Sequence, residues 1–259
     1  MDTALNRRLN RPNHIQPLSP ALWAILFLMA AIGCQKAEDR KCFKSMGKVV
    51  QEHRIVEQFD HIVLSDHIDL ILMDDTLPEL TIETGSNLMN FISTDVSDNT
   101  LHIQDDNKCA FLRDLKHKTI VRVHQSAVAS ISMLGSGDLT AEFPIERNLS
   151  LYCNDANGHI DLHMNNDSTQ VLISSGVTDV KLTGKSNYGY YYYFGNGNIH
   201  ADQLTSDKVL VNWQSTGDLH LNSINELYGE LTSSGNLYYS GAPSIVDVSV
   251  TGTGQLIQQ

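Results

Sequence analysis

The chain has 259 residues, of which 30 are acidic and 18 are Lys or Arg, so its formal net charge is −12 at neutral pH. An acidic chain without basic clusters argues against nucleic acid binding, because phosphates need grouped Lys and Arg. The same charge argues against electrostatic docking on anionic lipid, so membrane attachment would have to come from another feature of the chain.

The first 33 residues contain the three parts of a secretory signal. Arg7, Arg8 and Arg11 form a basic start, and an uncharged apolar stretch follows over residues 21–32. This stretch is too short to cross a membrane, which takes about 20 apolar residues. The sequence therefore predicts export and removal of residues 1–33.

The signal ends in Ala31-Ile32-Gly33-Cys34, which resembles the lipobox of bacterial lipoproteins. The resemblance implies cleavage before Cys34, a diacylglycerol on its thiol and an N-acyl chain, and two or more acyl chains anchor a protein stably. A cleaved signal with a chance cysteine is the alternative.

The polar residues 34–47 predict a tether, and Lys36 with the acids after it resembles the surface-export signal of Bacteroidetes lipoproteins.

Export makes disulfide bonds permissible. Cys42 and Cys109 are the candidate pair, while Cys153 lies in an alternating apolar run that favours a buried, unpaired thiol.

Residues 48–134 predict short strands separated by turns. Apolar and polar residues alternate in runs such as Leu80-Thr81-Ile82-Glu83 and Leu101-His102-Ile103-Gln104. Clusters of Asp, Asn, Gly and Ser lie between the runs, as is typical of turns. This half either continues a β-coil or caps it.

From residue 135 the chain repeats a short unit, in which a small polar residue, Gly and another polar residue precede Leu or Ile. The copies contain Gly137, Gly158, Gly197, Gly217, Gly235 and Gly254, with a degenerate copy, Ser175-Gly176-Val177-Thr178. The glycines recur every 18–21 residues, and such a period predicts a solenoid with one supersecondary unit per repeat.

The positions after each glycine follow the period of a strand with one buried face. Residues two and four after the glycine are mostly apolar, and residues three and five after it are mostly polar. We therefore predict an all-β fold, a parallel β-helix or solenoid with rungs of about 20 residues, in which side chains at equal offsets stack as columns. A two-sheet β-sandwich with Gly turns is the competing architecture.

Residues 188–194 are unusually rich in tyrosine. On a strand, Tyr190 and Tyr192 face one side, and Tyr191 and Tyr193 face the other. The column four residues before the glycines predicts core, and it contains Met133, Leu172, Tyr193, Trp213, Leu231 and Val250. Tyr190 and Tyr192 are then an exposed pair that suits contact with a sugar or a protein. Aromatic bracing between neighbouring strands is the alternative.

Asp179, His200 and His220 each lie three residues after the glycine of their copy. If the copies are in register, these side chains form an outward column in which two imidazoles and a carboxylate could hold a metal ion. A solvated polar ladder is the favoured interpretation, and we expect no cofactor.

Paired acids occur at residues 74–75, 95–98 and 105–106, but all three pairs lie in turn-like clusters. Carboxylates in such clusters usually bond to the backbone of the turn. Because no catalytic motif occurs either, the sequence does not favour an enzyme.

Six motifs resemble, in this order, the head GIN domain family of Bacteroidetes autotransporter adhesins. They are Cys42-Phe43-Lys44-Ser45-Met46-Gly47, Phe59-Asp60-His61-Ile62, Ile68-Asp69-Leu70-Ile71-Leu72, Asp98-Asn99-Thr100-Leu101-His102-Ile103, Asn107-Lys108-Cys109 and Gly135-Ser136-Gly137-Asp138-Leu139. The resemblance covers about residues 42–259. It implies a β-helix-like fold and a place in the cell envelope, and it supplies no catalytic residues.

The sequence thus predicts an outer-membrane lipoprotein of the cell envelope. Residues 1–33 are the signal, 34–47 the lipidated tether and 48–259 the solenoid domain, with irregular strands over 48–134 and glycine-marked repeats over 135–259. We expect an adhesion or binding module for a glycan or for an envelope or host protein. A structural envelope protein without a small ligand is the alternative, and a polysaccharide-active enzyme is less favoured.

Overall fold

The computed structural model describes residues 45–75, 78–107, 118–124 and 127–259. All of them lie in one compact unit, Lys44–Gln259. The described part contains no helix with the length and apolar character to cross a membrane. The predicted signal, lipidation site and disulfide lie outside the described residues and stay predictions: residues 1–33, Cys34, Cys42 and Cys109.

The described chain consists almost entirely of strands. The strands before and at the first glycine-marked repeat are β1 (Val49–Ile55), β2 (His61–Asp66), β3 (Ile68–Met73), β4 (Glu79–Gly85), β5 (Ile92–Ser97), β6 (Thr100–Asp105), β7 (Thr119–His124), β8 (Ser130–Gly135) and β9 (Leu139–Ala141). A single 3-10 turn, Met89–Phe91, is the helical piece of the described residues.

The strands that follow include four long ones that bend around the molecule. They are β10 (Leu149–Cys153), β11 (Ala156–Ile173), β12 (Gly176–Tyr193), β13 (Ile199–Trp213), β14 (Leu219–Leu231), β15 (Leu237–Ser240), β16 (Ile245–Val250) and β17 (Leu256–Gln258).

Parallel pairing between successive turns of the chain builds the fold. From β10 onward each strand pairs in parallel with the strand about 20 residues later, for example Tyr190 with Leu210. The all-β solenoid prediction is confirmed, and the β-sandwich is excluded, because sandwiches are made of antiparallel sheets.

Two faces run along the solenoid. The first face contains β6, β2, β8 and β10, then the second halves of β11 to β14, and ends with β16. The second face contains β7, β3 and β9, then the first halves of β11 to β14, and ends with β15 and β17. From β8 onward, each rung crosses from the first face to the second through a corner that carries one of the repeated glycines.

The order of the first rungs in space differs from their order in sequence. Strand β2 lies between β6 and β8, and β3 lies between β7 and β9. Beyond them, β5 and β4 pair antiparallel with β6 and β7, and β1 pairs antiparallel with β4. The N-terminal half therefore both continues the coil and caps it, because antiparallel strands cover the edges of β6 and β7.

The core is a stack of inward side chains from both faces. Large residues lie at its centre, where Trp213 and Tyr193 are fully buried and Tyr191 is 1% exposed. The ring centroids of Tyr193 and Trp213 lie 5.2 Å apart with planes at 85°, an edge-to-face contact that adds to the gain from burial. Cys153 is a buried free thiol, as predicted, and burial raises its pKa to about 12.

The repeated glycines stack along one edge of the solenoid. A Cβ atom on Gly217 would lie 2.2 Å from the carbonyl oxygen of Gly197, and one on Gly235 would lie 1.8 Å from that of Gly217. Side chains do not fit at such distances. Close approach of neighbouring corners therefore selects glycine at these positions.

One copy of the repeat stands in a different register from the one that the sequence suggests. Thr178, and not Gly176, pairs with Gly158 in the glycine column. Gly176 has φ +107° and makes the corner two residues earlier, while the buried Thr178 hydroxyl donates to the carbonyl oxygen of Ala156 at 2.9 Å. The predicted columns of this copy are therefore wrong by two residues after the corner, and the core column before the corner is wrong by one.

At most positions of the glycine column, the residue that directly follows accepts a hydrogen bond from a backbone N–H group of the next rung, and these bonds form a ladder. Asp179 Oδ1 accepts from the Asn198 N–H, Asn198 Oδ1 from the Asp218 N–H, and Asp218 Oδ1 from the Asn236 N–H, at 2.8–3.0 Å. This ladder satisfies corner N–H groups that the sheets leave free. It explains why the repeat prefers Asp or Asn directly after its glycine.

Candidate functional site

The tyrosine run lies on strand β12, and its side chains alternate between the core and the outer surface of the first face. Tyr191 and Tyr193 point into the core, whereas Tyr188, Tyr190 and Tyr192 point outward and are half-buried. The Tyr193 hydroxyl donates to the carbonyl oxygen of Thr178 at 2.8 Å and accepts from its N–H at 3.1 Å. Core tyrosines thus fix the strand that presents the outer ones.

Two neighbouring columns on this outer surface have the same composition. Tyr152, Leu172 and Tyr192 stack in one column, and Tyr190, Leu210 and Tyr228 stack in the next. With Tyr188 they form a continuous aromatic and aliphatic surface, which we call the tyrosine face: Tyr152, Leu172, Tyr188, Tyr190, Tyr192, Leu210 and Tyr228.

The tyrosine face belongs to a larger uncharged surface. Exposed Asp66, Asp167 and Lys185 lie just beyond the ends of this surface. Its outward residues, on segments 61–65, 100–104, 130–134, 150–152, 168–172 and 188–192, include no Asp, Glu, Lys or Arg. They are Thr100, His102, Gln104, His61, Val63, Ser65, Ser130, Ser132, Leu134, Ser150, Tyr152, Ser168, Gln170, Leu172, Tyr188, Tyr190 and Tyr192. In a chain of net charge −12, six adjacent strand segments without a charged outward residue favour contact with an uncharged partner.

Charged residues begin at the C-terminal border of the tyrosine face. Lys208 Nζ lies 4.9 Å from the ring centroid of Tyr228 and 3.0 Å from Glu226 Oε2. Burial raises the pKa of Tyr190, and the neighbouring Tyr188, Tyr192 and Glu230 raise it further. The Tyr190 phenol therefore stays neutral and can act as a hydrogen-bonding group.

The second face differs from the tyrosine face in that its outward residues include ion pairs. Lys181 Nζ lies 2.9 Å from Asp161 Oδ2, and Lys118 Nζ lies 2.7 Å from Asp138 Oδ2. Next to Lys181, His200 and His220 stack at 5.4 Å, and His220 stacks on Tyr238 at 4.5 Å. This column is a charged and aromatic ladder.

The structure separates the three residues of the metal hypothesis. Lys181, and not Asp179, pairs with His200, because the copy at Thr178 is shifted by two residues. Asp179 instead accepts from the Asn198 backbone in the corner ladder. Within the described ranges, no group of three or more His, Cys, Asp and Glu is placed to hold a metal ion.

The acids considered for catalysis serve mainly in turns. Asp105 Oδ1 accepts from the Asn107 N–H at 2.8 Å, and Asp98 has the positive φ of a turn residue. A cleft of about 230 Å³ includes both carboxylate and apolar residues: Asp74, Ala127, Phe143, Pro144, Glu146 and Arg147. Arg147 donates there to the carbonyl oxygen of Ala127 at 3.1 Å, so it holds the cleft wall.

Sequence reasoning identified Tyr190 and Tyr192 but missed most of the surface around them. Leu172 was predicted to be core and points outward, because Ile173 takes its place in the core column. Tyr152 and Tyr228 belong to the face because of the rung register. Tyr152 and Tyr228 each lie about one repeat along the sequence from another outward residue, and this spacing was the signal that could have found them.

The family model described as "Putative auto-transporter adhesin, head GIN domain" matches residues 58–243. A crystal structure of a "putative adhesin" from Bacteroides fragilis is 25% identical, with a TM-score of 0.75, and the match covers 82% of this chain and 97% of that one. None of the curated proteins compared with the chain matches it.

Two further crystal structures share the fold. A "putative lipid binding protein" from Parabacteroides distasonis is 18% identical with a TM-score of 0.64, covering 82% of this chain and 97% of that one. A "putative adhesin" from Parabacteroides merdae is 17% identical with a TM-score of 0.60, covering 82% and 98%. At these identities the likeness shows the fold alone.

Proposed function

Because this chain belongs to the head GIN domain family of auto-transporter adhesins, we propose that it is a lipid-anchored envelope module that adheres to a glycan through its tyrosine face. The observation that carries the proposal is the uncharged aromatic surface on a rigid parallel scaffold. Tyrosine rings offer an apolar plane and a polar tip at little cost in conformational entropy. A flat face of this kind suits the apolar side of sugar rings.

Anchoring by Cys34 is the first part of the proposal. Its support is the basic start, the apolar stretch of residues 21–32 and the tetrad that ends in Cys34. The net charge of −12 gives no electrostatic attraction to anionic lipid, so acyl chains would supply the attachment. The polar tether of residues 34–47 would then separate the solenoid from the membrane.

We expect Cys34→Ser to prevent lipidation. Cells grown with a clickable palmitate analogue would label the wild-type chain but not the variant, and the variant would leave the membrane fraction. Protease shaving of whole cells would report which side of the outer membrane carries the solenoid. Label on the Cys34→Ser chain at the wild-type level would contradict the anchor.

Adhesion through the tyrosine face is the second part. We expect the double variant Tyr190→Ser/Tyr192→Ser to weaken glycan binding by tenfold or more, since each ring contributes about 1 kcal/mol and 1.4 kcal/mol is tenfold in affinity. Glycan arrays followed by calorimetry would measure the change. Tyr238→Ser, which removes an outward tyrosine from the second face, is the matched control and should bind as wild type.

Unchanged binding by the double variant would remove the tyrosine face from the proposal. Stable envelope protein partners without saturable glycan binding would instead favour a structural role. Polymer cleavage would favour an enzyme, and it should then be lost when Asp74 or Glu146 in the cleft becomes an amide.

A further inference from the structure

We propose that the tyrosine face binds one uncharged, linear glycan chain that lies along the solenoid axis and contacts several rungs at once. The inference rests on the proposed function and adds the class and direction of the ligand. Its basis is the order of residues in the two outer columns.

Both columns place tyrosines two rungs apart with a leucine between them. Tyr152, Leu172 and Tyr192 occupy successive rungs in one column, and Tyr190, Leu210 and Tyr228 do so in the other. Since neighbouring strands lie about 4.8 Å apart, the tyrosines of a column are separated by about 10 Å. An aromatic platform that recurs along the axis matches a polymer better than a single sugar.

The two columns overlap at β12 and together form a diagonal band. The band begins at Tyr152 on β10, passes Tyr192 and Tyr190 on β12, and ends at Tyr228 on β14. Four rung steps make it about 20 Å long. A chain of several sugars is needed to cover it, whereas a terminal sugar would use only one platform.

The charges around the band select an uncharged ligand. Lys208, a basic side chain that the described residues place against the tyrosine face, is already paired with Glu226 and lies over Tyr228. Glu230 borders the band, and its charge acts on Tyr190. At this border an anionic polymer would meet the Glu230 carboxylate and a lysine that is already paired, so it would bind more weakly than a neutral one.

The flat shape of the face favours a sugar chain over an acyl chain. Side chains of a strand stand roughly perpendicular to the sheet, so a ligand that lies on them keeps its outer side in water. Sugar hydroxyls are well hydrated there, whereas an acyl chain gains only from the surface that it buries. Gln170 and Ser150 lie beside Tyr152 and Leu172 and can hydrogen-bond to hydroxyls.

Calorimetry of the full mature chain with neutral gluco-, manno- and xylo-oligosaccharides, from disaccharides upward, tests the proposal. Affinity should rise with length and level off once the oligomer spans the band. Tyr152→Ser and Tyr228→Ser, at its two ends, should each weaken the longest oligomers about tenfold, the ratio that 1.4 kcal/mol represents, and leave the disaccharide unaffected. Tyr190→Ser/Tyr192→Ser should weaken every length.

Several results would overturn this inference. Length-independent affinity, or end variants that bind long oligomers as wild type, would show a local sugar site and leave the proposed function standing. Tighter binding of a uronic acid oligomer of equal length would reject the neutral ligand. Binding of a protein but of no oligosaccharide would reject both proposals, and Tyr238→Ser controls for nonspecific loss.

Discussion

Replacing Trp213 by alanine is expected to lower the free energy of unfolding by about 3–5 kcal/mol, the range for large aromatic residues removed from a core. The Trp213 ring is fully buried and contacts Tyr193 edge to face. Its Nε1 donates to the carbonyl oxygen of Gly217 at 2.9 Å. The substitution therefore opens a cavity and also leaves a corner carbonyl without its partner.

Urea unfolding followed by circular dichroism measures this loss, because the substitution removes the tryptophan that would report by fluorescence. Leu210→Ala is the matched control on the same strand, β13, since Leu210 is 36% exposed and should cost much less. A Trp213→Ala chain within about 1 kcal/mol of wild type, well below the usual cost of such a cavity, would show that the core does not pack as described.

Gly217→Ala is expected to destabilise the solenoid by about 1–3 kcal/mol, the usual cost of forcing extra volume into a packed site. The added methyl carbon would lie 2.2 Å from the Gly197 carbonyl oxygen and 2.7 Å from Asn198 Oδ1. The corners would have to separate, which weakens the bond from the Asp218 N–H to Asn198 Oδ1. The effect comes from close approach of two rungs.

Thermal unfolding of Gly217→Ala beside Thr216→Ala isolates this effect. Thr216 is the preceding, exposed residue, and its side chain makes one surface hydrogen bond, to Asn196. Equal melting temperatures for the two variants would contradict the stacked glycine edge. In the native chain one position of the glycine edge is occupied by Thr178. There the corner is made two residues earlier by Gly176, which has φ +107°.

The solenoid itself could be predicted because its cause is local and repeated. Each glycine marks a corner, and the alternation after it marks a strand with one buried face. The register of the copy at Thr178 could not be predicted, since Gly176 is a true corner glycine that lies in the wrong place for the column. That shift of two residues misplaced Asp179, and the core column before the corner is off by one residue, which misplaced Leu172.

The rung order at the N-terminal end has no local signal either. Strands β2 and β3 insert between rungs that come later in the sequence. Alternation predicts that these segments are strands, but it does not say which strands they pair with. The alternation in residues 188–194 did predict which tyrosines face outward, whereas Tyr152 and Tyr228 needed the pairing as well.

The most direct test of the tyrosine face as the contact surface uses the tyrosines themselves. Five of the nine tyrosines lie on the face, two lie in the core, and Tyr238 and Tyr239 belong to β15 on the second face. NMR of the mature chain with isotope-labelled tyrosine rings, titrated with the neutral oligosaccharide that binds best, follows all nine at once. We predict shifts for Tyr152, Tyr188, Tyr190, Tyr192 and Tyr228 and unchanged signals for the other four. Shifts confined to Tyr238 and Tyr239, or none on the face at saturating ligand, would contradict the account.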